Sequence, residues 1–160
     1  MKRRGMIPWL YGLACVVLVT AGVRFLNVRY ANQLDDVQRQ RWAIAWIGAL
    51  NSHQWAQVDP LLSDSARIDD PLVAWTLDRR AAGFYLNALW LSFPQLHYSS
   101  LGVVGEGAVV VLEWVATGIA GIPPSGLRGV SVLVVTDGTI GAVTSYFNAS
   151  GIHIQPVKVP

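Results

Sequence analysis

The period of apolar and polar positions changes once along this chain, near Gln95. Before it the pattern is helical. Asp35 to Leu50 is charged at its start and apolar nearly all round from Trp42 onward, as expected of a helix buried on several sides. Asn51 and Ser52 end it. A second short helix is expected over Gln54 to Leu62, then a brief extended piece over Ser65 to Asp70 halted by Pro71. A third helix over Asp78 to Leu91 sets Ala81, Phe84, Tyr85, Ala88 and Leu91 at helical spacing before Pro94 stops it.

Beyond Gln95 the period is two. Leu96, Tyr98 and Ser100 alternate with His97 and Ser99, Gly105-Glu106-Gly107 marks a turn, and Ala108 to Gly118 reads as a long strand. Gly121 to Gly129, with Pro123 and Pro124, is a loop or bulge. Val130 to Thr136 and Thr139 to Asn148 form a hairpin around Asp137-Gly138, a strong short turn signal. A two-residue turn pairs Thr136 with Thr139 and thereby sets the register. One face then carries Ser131, Leu133, Ala142, Thr144, Tyr146 and Asn148; the other carries Val130, Val132, Val134, Val143, Ser145 and Phe147. Both faces are too apolar for open water, so the sheet is expected to be covered on both sides. The helices supply one cover. Val130, Val132, Val134, Val143 and Phe147 are the candidate interface for the other, which would be a partner protein, a second copy or a membrane surface.

The N-terminal segment follows a third pattern. Ile7 to Val23 holds no charge over seventeen residues, and a snorkelling Arg24 extends the span to Leu26. Twenty residues at roughly 1.5 Å each match a hydrocarbon core of about 30 Å. Three readings are open: a cleaved signal peptide, with Lys2, Arg3 and Arg4 ahead of Val19-Thr20-Ala21; a lipobox ending at Cys15, weakened by Gly12; and an uncleaved anchor, which the length favours. For an anchor, the basic residues put 1–6 in the cytoplasm and the body on the far side of a bacterial inner membrane. The expected organisation is 1–6 N-terminus, 7–26 transmembrane helix, 27–34 helical connector, 35–150 folded domain and 151–160 tail. No Pro and only Gly48 fall between Arg24 and Ala49, so the anchor is expected to run stiffly into the domain.

Charge and composition narrow the function classes. The net charge of +2 hides five basic and no acidic residues in 1–30, against seven basic and ten acidic residues in the rest. The body is mildly acidic and has no basic stripe for nucleic acid. A single cysteine cannot form a disulfide within the chain. His53 and His97 lie in different segments with no third ligand at metal spacing, and no phosphate-cradling glycine loop or nucleophile elbow occurs, so no metal or cofactor is expected.

Several stretches carry a family likeness. "LNSHQWAQVDPLLSDSARIDDP" (Leu50 to Pro71), "FYLNALWLSFPQLHY" (Phe84 to Tyr98), "LEWVATG" (Leu112 to Gly118), "GIPPSG" (Gly121 to Gly126) and "GVSVLVVTDGTI" with a following "SYF" resemble the SnoaL-like polyketide cyclases of the nuclear-transport-factor-2-like superfamily. The resemblance implies an α+β fold, a cone of three helices packed on a bent antiparallel sheet around a pocket, with dimers formed through the convex sheet face. Superfamily members include cyclases, ketosteroid isomerase and epoxide hydrolases as well as non-catalytic binding and assembly domains. The enzymes use a buried carboxylate whose pKa is raised toward neutrality. Where SnoaL-like sequences commonly place an Asp after the Tyr-aromatic pair, this chain has Asn148, and an amide exchanges no proton at working pH. Only Leu127 and Arg128 separate Gly126 from Gly129, a shortened loop expected to trim the pocket rim.

The remaining acid candidates are Asp70 and Glu113. Asp69 and Asp70 are adjacent, so only one can enter a pocket, and the plain alternative is a turn in which a carboxylate bonds backbone N–H groups. Glu113 lies mid-strand among valines, where its alternative is an ion pair with an arginine. Tyr98, Trp114, Ser131, Tyr146 and Asn148 are the ligand-pocket candidates. With the expected acid missing and a stiff anchor ahead of the domain, the sequence favours a non-catalytic accessory subunit of a membrane protein complex, respiratory or photosynthetic assemblies being candidates. The alternative is a membrane-tethered isomerase, cyclase, hydrolase or binding protein for an apolar small molecule.

Overall fold

A computed structural model describes residues 33–150 and Ile152. The chain divides into two units, Met1–Gln33 and Leu34–Pro160, and every described element belongs to the second. The expected membrane span 7–26 lies outside the described residues, as do most of the connector and of the tail. Among the described residues no helix is long and apolar enough to cross a membrane.

The first helix, α1, runs Asp36–Asn51. Asp35 caps it in a reciprocal box: its side chain accepts from the Gln38 N–H at 2.7 Å, and the Gln38 side chain accepts from the Asp35 N–H at 2.9 Å. The helix buries one stripe, Arg39, Ala43, Trp46, Ala49 and Leu50, and leaves Val37 and Ile44 in water. It is therefore buried on one side, not several. A short helix α2 (Trp55–Val58) passes through a 3-10 turn (Asp59–Leu61) into β1 (Leu62–Asp69). After the two-residue β2 (Leu77–Asp78), Asp78 caps α3 (Arg79–Ser92) by accepting from the Ala81 N–H at 2.8 Å. Arg79 bonds Asp59 at 2.7 Å and Asp64 at 2.5 Å, tying the start of α3 to the turn and to β1.

Strands β3 (His97–Val104), β4 (Val109–Thr117), β5 (Leu127–Thr136) and β6 (Thr139–Phe147) complete a six-stranded sheet of order β2-β1-β6-β5-β4-β3. The sheet is mixed, not wholly antiparallel, because β1 runs parallel to β6. Its inner face carries Val110, Leu112, Trp114, Ala116, Leu133, Val135, Ile140 and Val143, which with Trp46, Leu50, Leu86 and Leu89 of the helices form one buried core.

The Asp137-Gly138 turn forms as the sequence predicts, with both residues at positive φ (51° and 72°). Thr136 pairs with Thr139 and Val135 with Ile140, but Val134 then pairs with Ala142. Gly141 is an extra residue, a bulge of one. It slips the register and turns over the rest of β6. Ser131, Leu133, Val143, Ser145 and Phe147 therefore share the inner face. Val130, Val132 and Val134 share the outer face with Ala142, Thr144 and Tyr146, so the five-residue interface expected from the uninterrupted register splits, with Val143 and Phe147 turned inward.

Asn51, at the last turn of α1, joins helix to sheet. Its Nδ2 donates to the Tyr98 carbonyl and its Oδ1 accepts from the Tyr98 N–H, each at 2.8 Å, as another strand would. Beside it His53 Nε2 meets the Leu96 carbonyl at 2.7 Å, and its ring stacks on Trp90 at 5.8 Å. Asn51→Ala removes both partners of the Tyr98 backbone and is expected to lower stability by about 2 kcal/mol, read from urea unfolding, and to speed exchange of the Tyr98 amide.

Candidate functional site

Between the inner sheet face and helices α1 and α3 lies an enclosed cavity of about 40 Å³. Trp114 is one of its large wall residues. The ring, 4% exposed, stands edge-on to Tyr98 (5.3 Å between centroids, 83°) and to Phe147 (5.7 Å, 61°). Its Nε1 donates to Ser131 Oγ at 2.9 Å, and Ser131 Oγ lies 3.0 Å from Ser145 Oγ, so the indole N–H is satisfied in a dry interior. The ring lies over Gly129, where an added Cβ would come within 2.4 Å of it. Only a glycine on β5 leaves that space.

Asp70 is the carboxylate at this cavity. It follows β1 two residues after the inward-facing Ile68, which points it inward. Pro71 then turns the chain, and the Leu72 N–H donates to Asp70 Oδ1 at 3.0 Å. Burial pushes its pKa above the ordinary 3.8, against the opposing pull of that N–H and of Tyr85. Tyr85 on α3 faces the same cavity. Its hydroxyl is sealed from solvent on the Asp70 side, and burial, reinforced by the Asp70 charge, pushes its pKa up. Burial followed by the same charge raises Tyr98. The cavity thus holds one carboxylate and two phenols in an otherwise apolar wall, a set able to hold or pass a proton or to bond a carbonyl.

Of the residues singled out from sequence, Asp70, Tyr98, Trp114 and Ser131 come together here. Glu113 does not. It sits on the outer face of β4, exposed, between Gly102 and Val130, and makes no ion pair among the described residues. Tyr146 and Asn148 are exposed, turned outward by the Gly141 bulge, and Asn148 Oδ1 accepts from the Ser150 N–H at 3.0 Å. Tyr85 and Ser145 belong to the cavity without having been singled out. Helical spacing marks Tyr85 as a packing position, but nothing local shows that α3 meets Asp70, and Ser145 was assigned to the opposite face.

Helices packed on one face of a mixed sheet, with a carboxylate at the enclosed side, define the nuclear-transport-factor-2-like class. Within it the chain belongs to the SnoaL-like domain family, whose model matches residues 43–143. No curated protein matches it. Among solved structures it is similar to a SnoaL-like protein of unknown function from Burkholderia thailandensis, at 14% identity and a TM-score of 0.64, covering 72% of this chain and 98% of that one. It is also similar to a putative SnoaL-like polyketide cyclase from Jannaschia (18%, TM-score 0.59, 70% and 86% covered) and a putative ketosteroid isomerase from Kribbella flavida (19%, 0.57, 75% and 84%). These likenesses establish the fold.

The raised Asp70 pKa has a consequence for stability. The folded state holds the proton more tightly than the unfolded state, so stability falls as pH rises above 3.8 through the folded-state value. Asp70→Asn is expected to melt higher than the parent at pH 7, with the gain shrinking as pH falls and vanishing in the ordinary carboxylate range. Melting temperature against pH checks this; a variant that melts lower at pH 7 would show that the carboxylate's bond to Leu72 outweighs its burial.

Proposed function

We propose that this chain is a non-catalytic, membrane-anchored subunit that uses its SnoaL-like domain to bind other membrane proteins. The observation that carries this reading is the filled cavity. Sites for small molecules occupy roughly 300–1,000 Å³, whereas this cavity holds about 40 Å³. A space of that size admits water, not a polyketide or a steroid.

Two further features support it. Residues 7–26 have the length and apolarity of a bilayer span. On the outer sheet face Val104, Val111 and Val132 lie in one cross-strand row, and Val104 is 67% exposed. An apolar row left in water by the isolated domain suits a protein neighbour.

Asp70 favours a second reading, a tethered isomerase or cyclase. A buried carboxylate beside two phenols is the equipment for moving a proton next to a carbonyl. That chemistry would require a wall residue such as Trp114 to swing away and admit substrate. The neighbours from Jannaschia and Kribbella are putative enzymes of these kinds, and their names lend this reading what support they can.

Purification of the full chain from its native membrane in mild detergent is expected to bring stoichiometric membrane proteins with it, and the Val104→Glu, Val132→Glu pair is expected to release them while the domain still melts cooperatively. A monomer or bare homodimer would sink the subunit reading.

A further inference from the structure

Asp70 has a second side. Inward it meets the small cavity; outward it lines an open cleft of about 420 Å³ where β1 and β6 end, together with Asp69, Trp75, Thr76, Ser145 and Tyr146. The two spaces differ tenfold in volume, and only the outer one falls within the usual range for a bound molecule.

The wall chemistry of the cleft is selective. Trp75 and Tyr146 are 68% and 60% exposed, and both line it. An exposed Trp and an exposed Tyr in the wall of one cleft offer electron-rich rings that attract a cation and reward the alkyl groups around it. Asp69 supplies a carboxylate and Asp70 borders the cleft from its inner side, and among the described residues no Lys, Arg or His lines it. Neither acid has an ion-pair partner among the described residues. Each is held by a neutral donor: the Thr76 hydroxyl donates to Asp69 Oδ1 at 2.5 Å, and the Leu72 N–H to Asp70 Oδ1. These bonds fix the acids in place without neutralising them. An anion would meet uncompensated repulsion, and a neutral apolar molecule would leave the Asp69 carboxylate without a counter-charge.

A bare metal ion fits poorly. Among the described residues no group of three or more His, Cys, Asp or Glu is placed to hold one, and indole and phenol walls add little to a hydrated ion. An ammonium carried on carbon uses both halves of the wall, its charge against the Asp69 carboxylate and its methyl or methylene groups against the rings.

We propose that this cleft binds an alkylammonium group, seated against Trp75 and Tyr146 and neutralised by Asp69. The group could arrive on a small amine or on a lysine side chain of a neighbouring protein; the chemistry is shared, and the test separates the two. The proposal does not rest on the subunit reading, because the cleft lies where β1 and β6 end, whereas the valine row runs across β5, β4 and the edge strand β3.

The test uses the full chain, labelled with nitrogen-15, in a maltoside detergent at constant ionic strength. Choline is titrated against its neutral isostere 3,3-dimethylbutan-1-ol, and Nα-acetyl-lysine methylamide against the norleucine equivalent. Choline or the lysine amide is expected to shift the Trp75 indole N–H saturably at millimolar concentration, and the neutral analogues are not. Trp75→Leu and Asp69→Asn, both changes at the open cleft, are each expected to weaken binding about tenfold without altering the melt. Tighter binding of choline assigns the site to a small amine; tighter binding of the lysine amide assigns it to a partner's side chain. Equal response to charged and neutral probes, or no response to either cation, overturns the proposal.

Discussion

The bond from the Trp114 indole to Ser131 is the constraint from which the rest of the site follows. A large aromatic ring in the middle of a sheet needs three things: room beneath it, partners around its edge and an acceptor for its N–H. Gly129 gives the room, Tyr98 and Phe147 stand at the edges, and Ser131 accepts, itself bonded to Ser145. Trp90 shows the contrast. Its Nε1 is buried with no partner among the described residues, and its ring is held by core packing and by stacking on His53. Trp114 is fixed by geometry as well as by burial, and removing it from its seat would break the bond to Ser131 and expose a ring that is 4% accessible.

A ring so held determines what Asp70 can do. Its carboxylate is kept partly dehydrated beside two phenols, which is chemically suggestive, yet the space next to it is water-sized. Reactivity and access are separate properties, and here they have come apart. The fold retains a proton-active group while the volume a substrate would need is occupied by side chains. The same residue also borders a much larger space on its outward side, where Trp75 and Tyr146 are already exposed and nothing has to move.

How much of this was legible in the sequence depends on the range of the interaction involved. Local signals read well: the helix starts at Asp35 and Asp78, the Asp137-Gly138 turn and the change of period near Gln95 lie within a residue or two of the observed elements. The parallel pairing of β1 with β6 and the clamp of Asn51 on Tyr98 join positions far apart in sequence, and no local pattern announces them. The bulge is the instructive case. Gly141 sits inside an apparently regular strand, and a glycine there is a known warning of an irregular register. Reading straight through it put every later residue of β6 on the wrong face. Glu113 misled for the opposite reason. Valines on both sides suggested burial, but those valines share its half-covered outer face, and alternation places the core residues Leu112 and Trp114 between them.

The bulge also changes which evidence bears on catalysis. With an uninterrupted strand, position 148 would face the cavity, and an amide there would mean a lost acid. With Gly141 inserted, Asn148 points away and uses its side chain to hold the following turn through Ser150. The identity of residue 148 therefore carries no weight for or against turnover in this chain. The cavity has its carboxylate, supplied by β1 instead of β6. The space beside that carboxylate is small, and Trp114, Ser131 and Ser145 are among the residues that line it. The filled space is a property that a measurement on the intact protein can reach.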